Sequence, residues 1–90
     1  MLRPTRMGGN HMHFHGVFRG ICINNLDPLA AGRVQVRVPA VSGDSDSGWA
    51  MPCRALGSPA AAPPSVGESV WVMFEGGDPT RPVVMGTLPR

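Results

Sequence analysis

The stretch Val66-Gly67-Glu68-Ser69-Val70-Trp71-Val72-Met73-Phe74-Glu75-Gly76-Gly77-Asp78-Pro79-Thr80-Arg81-Pro82-Val83-Val84-Met85-Gly86-Thr87-Leu88 decides the fold. Val70, Val72 and Phe74 share one face of an extended chain and Trp71 and Met73 the other, the period-two pattern of a strand. A second apolar run spans Val83 to Leu88. Between the two, Gly76 and Gly77 accept positive φ at little steric cost, Asp78 can bond its own backbone, and Pro79 presets φ for a turn. The pair reads as an antiparallel hairpin, and the upstream sequence as what closes a small barrel onto it.

The chain has 90 residues, enough for one domain. A chain of this length buries only roughly 60 to 65% of the surface its unfolded form exposes, so its stability is expected to lean on a partner. Gly (12) and Pro (10) break up long helices, while the valine-rich alternation argues against disorder. No apolar run approaches the roughly 20 residues of a membrane span, and the first 16 residues lack the apolar centre of a signal peptide, so synthesis in a cytoplasm without stable membrane insertion is expected. The net charge of +2 is misleading, because Arg3, Arg6 and Arg90 sit at the chain ends. Residues 7 to 89 carry five arginines against six acids, a net charge of −1. Every cation is Arg and none is Lys, which suits bidentate contacts at interfaces and is also what a GC-rich genome produces.

Met1 to His15 reads as a flexible arm and residues 16 to 90 as the folded domain. Within the arm, His11, His13 and His15 alternate with Met12 and Phe14, so an extended segment places three imidazoles on one side. Such a set is a candidate transition-metal site, particularly if a symmetry axis brings copies together; the alternative is a polar edge segment. Val17 to Asn24 is the first strand, with Gly20 marking a bulge where a barrel bends. Asn24 to Pro28 turns the chain. Arg33 to Val38 is the second strand, with Val34, Val36 and Val38 inward, and Pro39 ends it. Ser42 to Gly48 reads as a polar loop, Trp49 to Arg54 as a third strand weakened by Pro52, and Ala55 to Ser65 as an extended loop too rich in proline for a helix. The expected architecture is all-β: a five-stranded, OB-fold-like Greek-key barrel with a flexible amino-terminal arm. Cys22 and Cys53, on strands one and three, are expected to be two buried free thiols.

Three motifs fail on their chemistry. Gly43-Asp44-Ser45-Asp46-Ser47-Gly48 resembles a protease nucleophile loop, but the histidines all lie in the arm. Asp44-x-Asp46 suggests a calcium loop, whose twelfth position is here Ala55 where a bidentate Glu is required. An OB barrel also suggests single-stranded nucleic-acid binding, with Trp49, Trp71 and Phe18 as stacking rings. A body with net charge −1 lacks the electrostatic term that dominates such affinity. The outward Trp71 and Met73 form a patch that a monomer rarely leaves exposed, unless the 55 to 65 loop covers it. They are candidate interface residues together with Arg33, Arg37 and Arg81.

Leu26-Asp27-Pro28, Gly32 to Pro39, Ser47-Gly48-Trp49-Ala50, Pro64 to Val70 and Phe74-Glu75-Gly76-Gly77-Asp78-Pro79-Thr80-Arg81-Pro82-Val83-Val84-Met85-Gly86 together resemble one family over Gly16 to Leu88. It is the OB domain of phage baseplate spike and assembly proteins (baseplate assembly protein V-like), shared with the valine-glycine repeat spike proteins of type VI secretion. The resemblance implies a non-enzymatic structural role in a contractile phage tail baseplate: a homotrimer on the tail axis, between the hub protein and a spike or spike-tip protein, located in the virion and assembled in the host cytoplasm. In longer members a β-helical spike follows the OB domain, whereas this sequence ends at Arg90, so either another chain is expected to carry the spike or the phage to have a reduced one. Some spike tips in the family hold iron through a His-x-His pair, which makes iron or another transition metal a candidate at His11, His13 and His15. Otherwise no cofactor is implied.

Overall fold

A computed structural model describes residues 12–58 and 62–89. Most of the expected arm, residues 1–11 with His11, lies outside the described residues. Five strands form a closed barrel: β1 (Phe18–Asn24), β2 (Val34–Arg37), β3 (Asp46–Pro52), β4 (Ser69–Phe74) and β5 (Pro82–Thr87), in the order β1-β2-β3-β5-β4 around the wall. All neighbours are antiparallel except β3 and β5, which run parallel and make one of the two seams. That strand order is the OB-fold arrangement expected from the sequence, and it leaves no full-length free edge to template aggregation.

The hairpin forms as read, with Val72 opposite Val84, Met73 opposite Val83 and Phe74 opposite Pro82. Glu75–Gly77 make a single 3-10 turn in which Gly76 has φ 61° and Gly77 φ 79°. Asp78 then accepts from the Thr80 backbone N–H at 2.9 Å and its hydroxyl at 2.8 Å, fixing the approach to β5. Val34, Val36, Val38, Val70, Val72 and Phe74 all point inward and meet Cys22, Ala50 and Val84 in one core. Burying a valine or phenylalanine side chain contributes about 1.5 to 3 kcal/mol. This set is therefore the main source of the barrel's stability.

Four expectations change. The third strand begins at Asp46 rather than Trp49, and Pro39–Ser42 make a single helical turn, α1, before it. Polar residues can enter the ladder because Arg37 pairs with Asp46 and the Ser47 hydroxyl accepts the Val36 N–H at 3.0 Å. Gly20 is not a bulge: the β1–β4 register runs straight through it, and the shift in β1 falls between Cys22 and Asn24. A Cβ at Gly20 would stand 3.1 Å from the Arg37 carbonyl oxygen and 3.1 Å from Val72 Cγ2, so its bare backbone is what lets the wall close there. Cys53 is exposed rather than buried, because β3 ends one residue before it. Cys22 is buried as expected, burial pushes its thiol pKa up, and both cysteines are free.

Residues 12 to 15 lie against the barrel. The Phe14 N–H donates to the Gly77 carbonyl at 2.8 Å, and the Phe14 ring sits 6.2 Å from both Phe18 and Phe74, which are 5.7 Å apart. Three aromatic rings thus stop one end of the barrel in the tilted and edge-on contacts that their quadrupoles favour.

Candidate interaction surface

Outward positions of neighbouring strands come into register and build a surface that no single stretch of sequence displays. Met51 on β3 stands beside Val83 on β5, Val83 stands opposite Met73 on β4, and Val17 continues the row just before β1. Met51 is 54% exposed, Val17 53% and Met73 37%. An apolar row therefore crosses three of the five strands and continues to the segment leading into β1, larger than the Trp71 and Met73 pair that the hairpin alone suggests. Trp71 is half-buried one step along β4, and what covers it is Arg19, directly opposite on β1, whose guanidinium carbon lies 5.3 Å from the indole centroid. The described end of the 55 to 65 loop runs past Cys22 and Asn25, where the Pro64 carbonyl accepts from the Asn25 amide at 3.0 Å.

The arginines singled out in the sequence have partners inside the chain. Arg33 makes a two-point contact with Asp27, Nε to Oδ2 at 2.9 Å and Nη2 to Oδ1 at 2.8 Å, and lies 5.4 Å from the Trp49 ring centroid. Asp27 also accepts the backbone N–H groups of Leu29, Ala31 and Arg33, so one carboxylate organises the whole β1–β2 loop. The Arg33 contact, with these three backbone donors, holds the Asp27 carboxyl well below the usual carboxylate range. Arg37 meets Asp46 at 2.8 Å in an exposed pair, and Arg81 meets Glu75 at only 3.8 Å. Exposed pairs of this kind contribute at most about 1 kcal/mol each.

His13 and His15 are brought together, their rings 6.0 Å apart and within 7° of parallel, on the same outer side of the Phe14 segment. Gly77 is their seat: a Cβ there would lie 2.7 Å from His15 Cε1 and 3.2 Å from His13 Cβ. Among the described residues no group of three metal-ligating side chains forms. A concavity of about 630 Å³ lies between the end of β3, the second half of β5 and Ala62 to Pro64. Small and apolar side chains line most of it, with Cys53, Arg54, Glu68 and Thr87, and among the described residues no hydrogen bond pairs the Cys53 thiol with a base.

Arg19 and Asp27 are what reading by stretches misses. Arg19 falls inside an otherwise apolar run, and its partner Trp71 is 52 residues away in sequence. Asp27 sits in the quoted Leu-Asp-Pro block, but its bond to Arg33 needs the loop to be closed first.

Comparison with known proteins gives one match. The chain matches the family model described as the type VI secretion system/phage-baseplate injector OB domain over residues 18–88, from the first residue of β1 to just past the end of β5. No curated protein matches it at a significant level.

Proposed function

The chain belongs to the phage-baseplate injector OB-domain family, a structural and non-enzymatic family of baseplates and related injection machines, and we propose that within such a machine it is a trimeric adaptor on the tail axis. In this reading it joins the hub protein above to a spike or spike-tip protein below, in the virion, after assembly in the host cytoplasm, and it binds no nucleic acid and inserts into no membrane. The observation that carries it is the apolar row Val17, Met73, Val83, Met51. Monomeric proteins seldom leave such a surface in water, and a barrel this small gains most from burying it. A row that curves around a barrel wall suits a heterologous contact, repeated about a threefold axis until the ring closes. Trp71, Arg33, Arg37 and Arg81 fall to the hub or spike contacts rather than to the self-contact, since they flank the row or lie off it.

Native mass measurement of the purified chain, alone and with its hub partner, tests this reading. A trimer that Met51→Glu converts to monomer without changing the circular dichroism of the barrel is the expected result. A chain that stays monomeric at every concentration and forms no complex with the hub would refute it.

A further inference from the structure

Arg33, Arg37 and Arg81 each have a carboxylate partner, at 2.8, 2.8 and 3.8 Å, whereas Arg19 has none among the described residues. Its guanidinium lies over Trp71 instead. A guanidinium held over a ring by its charge still carries its N–H donors in a fixed planar fork, and no described acid uses those of Arg19. Exposed apolar side chains flank it: Ile21 follows two residues along β1 and is 39% exposed, Met73 follows two along β4, and Met85, beside Gly86 across from Trp71, is 41% exposed, while Ser69 and the Asp46-paired Arg37 lie opposite Ile21 on β4 and β2. An acceptor arriving here meets a guanidinium with no carboxylate of its own, in a patch whose closure against a partner would exclude water, which strengthens the contact.

The geometry points to the Arg19–Trp71 pair as a docking site for a single Asp or Glu carboxylate, carried between apolar side chains on a partner protein of the assembly. Charge complementarity selects that occupant. Of the described arginines only Arg19 and Arg54 lack a carboxylate partner, and Arg54 lies past the end of β3, which does not pair with β1, so the cation on this face is a single one that matches one carboxylate and not a polyanion, which needs a row of cations. The neighbouring arginines cannot supply that row, because their own acids already neutralise them. Apolar flanks on the partner follow from Ile21, Met73 and Met85. The assignment deepens the adaptor reading and rests on it only for the statement that the carboxylate belongs to a hub or spike chain.

The test is a titration of the full chain followed by NMR at the Arg19 Nε–H and the Trp71 indole N–H, each assigned by substitution. The probes are the blocked peptide acetyl-Leu-Glu-Leu-amide, its Gln counterpart, inorganic phosphate and a thymidine hexamer. The expected result is a saturable shift of both signals with the Glu peptide, at least fivefold weaker binding of the Gln peptide, and about tenfold weaker binding of the Glu peptide to Arg19→Lys, which keeps the charge and loses the fork. Arg19→Lys also serves if Arg19→Ala fails to fold. Equal binding of the Glu and Gln peptides, no saturable shift, or phosphate or the hexamer binding as tightly as the Glu peptide would each overturn the assignment. Native mass reads the adaptor role separately: a monomer that binds the Glu peptide refutes the trimer and leaves the site, while a trimer that ignores the peptide does the reverse.

Discussion

Substituting the two glycines of the hairpin turn one at a time separates backbone strain from docking of the amino-terminal segment. Gly76 and Gly77 both have positive φ, 61° and 79°, where an alanine costs about 1 to 2 kcal/mol, offset in part by about 0.4 to 1 kcal/mol from a stiffer unfolded chain. Gly76→Ala meets no atom within 4 Å, so it should destabilise by about 1 kcal/mol and no more. Gly77→Ala adds a Cβ at 2.7 Å from His15 Cε1 and 3.2 Å from His13 Cβ. The His15 ring can swing aside, but His13 Cβ is attached to the backbone, so the segment itself must lift. That movement forfeits the Phe14 hydrogen bond to Gly77, about 1 kcal/mol net, and part of the Phe14 ring burial, about 1 kcal/mol more.

Gly77→Ala should therefore cost about 3 kcal/mol in total, roughly 2 more than Gly76→Ala, which for a domain of this size separates the two melting temperatures by about 8 to 16 °C. Urea unfolding followed by Trp49 and Trp71 fluorescence, at one fixed protein concentration, measures the difference. Repeating both substitutions in a chain lacking residues 1 to 15 closes the cycle, and there the two should cost the same. An excess for Gly77→Ala that survives the deletion would show that the turn itself, not the docked segment, demands the second glycine.

Truncating Val72 or Phe74 to Ala should cost about 2 to 5 kcal/mol in the same unfolding assay while Gln35→Ala stays within about 0.5; equal losses would sink the register of the barrel wall. Asp27 has its pKa lowered by Arg33, so its ionised form contributes stability at every pH above the ordinary carboxylate value of 3.8, and that contribution is lost as the pH falls below it. Asp27→Asn should lower the melting temperature at neutral pH and flatten its decline in acid, and an unchanged acid limb would mean that another carboxylate governs it. Three copies of His11, His13 and His15 near a threefold axis would bind a first-row metal, and elemental analysis of untagged protein finding none at a third of an ion per chain would dismiss the metal. Binding of single-stranded DNA should be weak and vanish when Met1 to Arg6 are deleted; salt-dependent binding that persists would favour the nucleic-acid reading of the barrel.

What was legible in the sequence is what the pleat imposes locally. Val34, Val36 and Val38, and Val70, Val72 and Phe74, declare their inward faces because alternation needs only neighbours two residues apart. The turn between β4 and β5 was legible for the same reason. Asp46 to Gly48 were not, since a polar run enters a strand only when a partner such as Arg37 is already alongside. Gly20 shows a different limit: an interruption by glycine looks the same whether it makes a bulge or permits close approach, and only the Arg37 carbonyl at 3.1 Å decides. Of the surface, Trp71 and Met73 were visible from one strand, whereas Val17, Val83, Met51 and Arg19 join them through pairings between distant segments.

The parallel seam between β3 and β5 also governs the order of events when the chain folds. The β1, β2 and β3 meander and the β4–β5 hairpin each close over short loops, whereas the β1–β4 and β3–β5 contacts require two preformed pieces to meet across residues 53 to 68. Loop closure makes such non-local pairings late and slow, so folding should resemble the docking of two halves, with the seams formed after the rate-limiting barrier. A substitution at Val83, which touches both seam and hairpin, should then accelerate unfolding more than it slows folding, while Val36→Ala, inside the meander, should slow folding. Stopped-flow chevrons in which both substitutions act on the same limb would exclude that order.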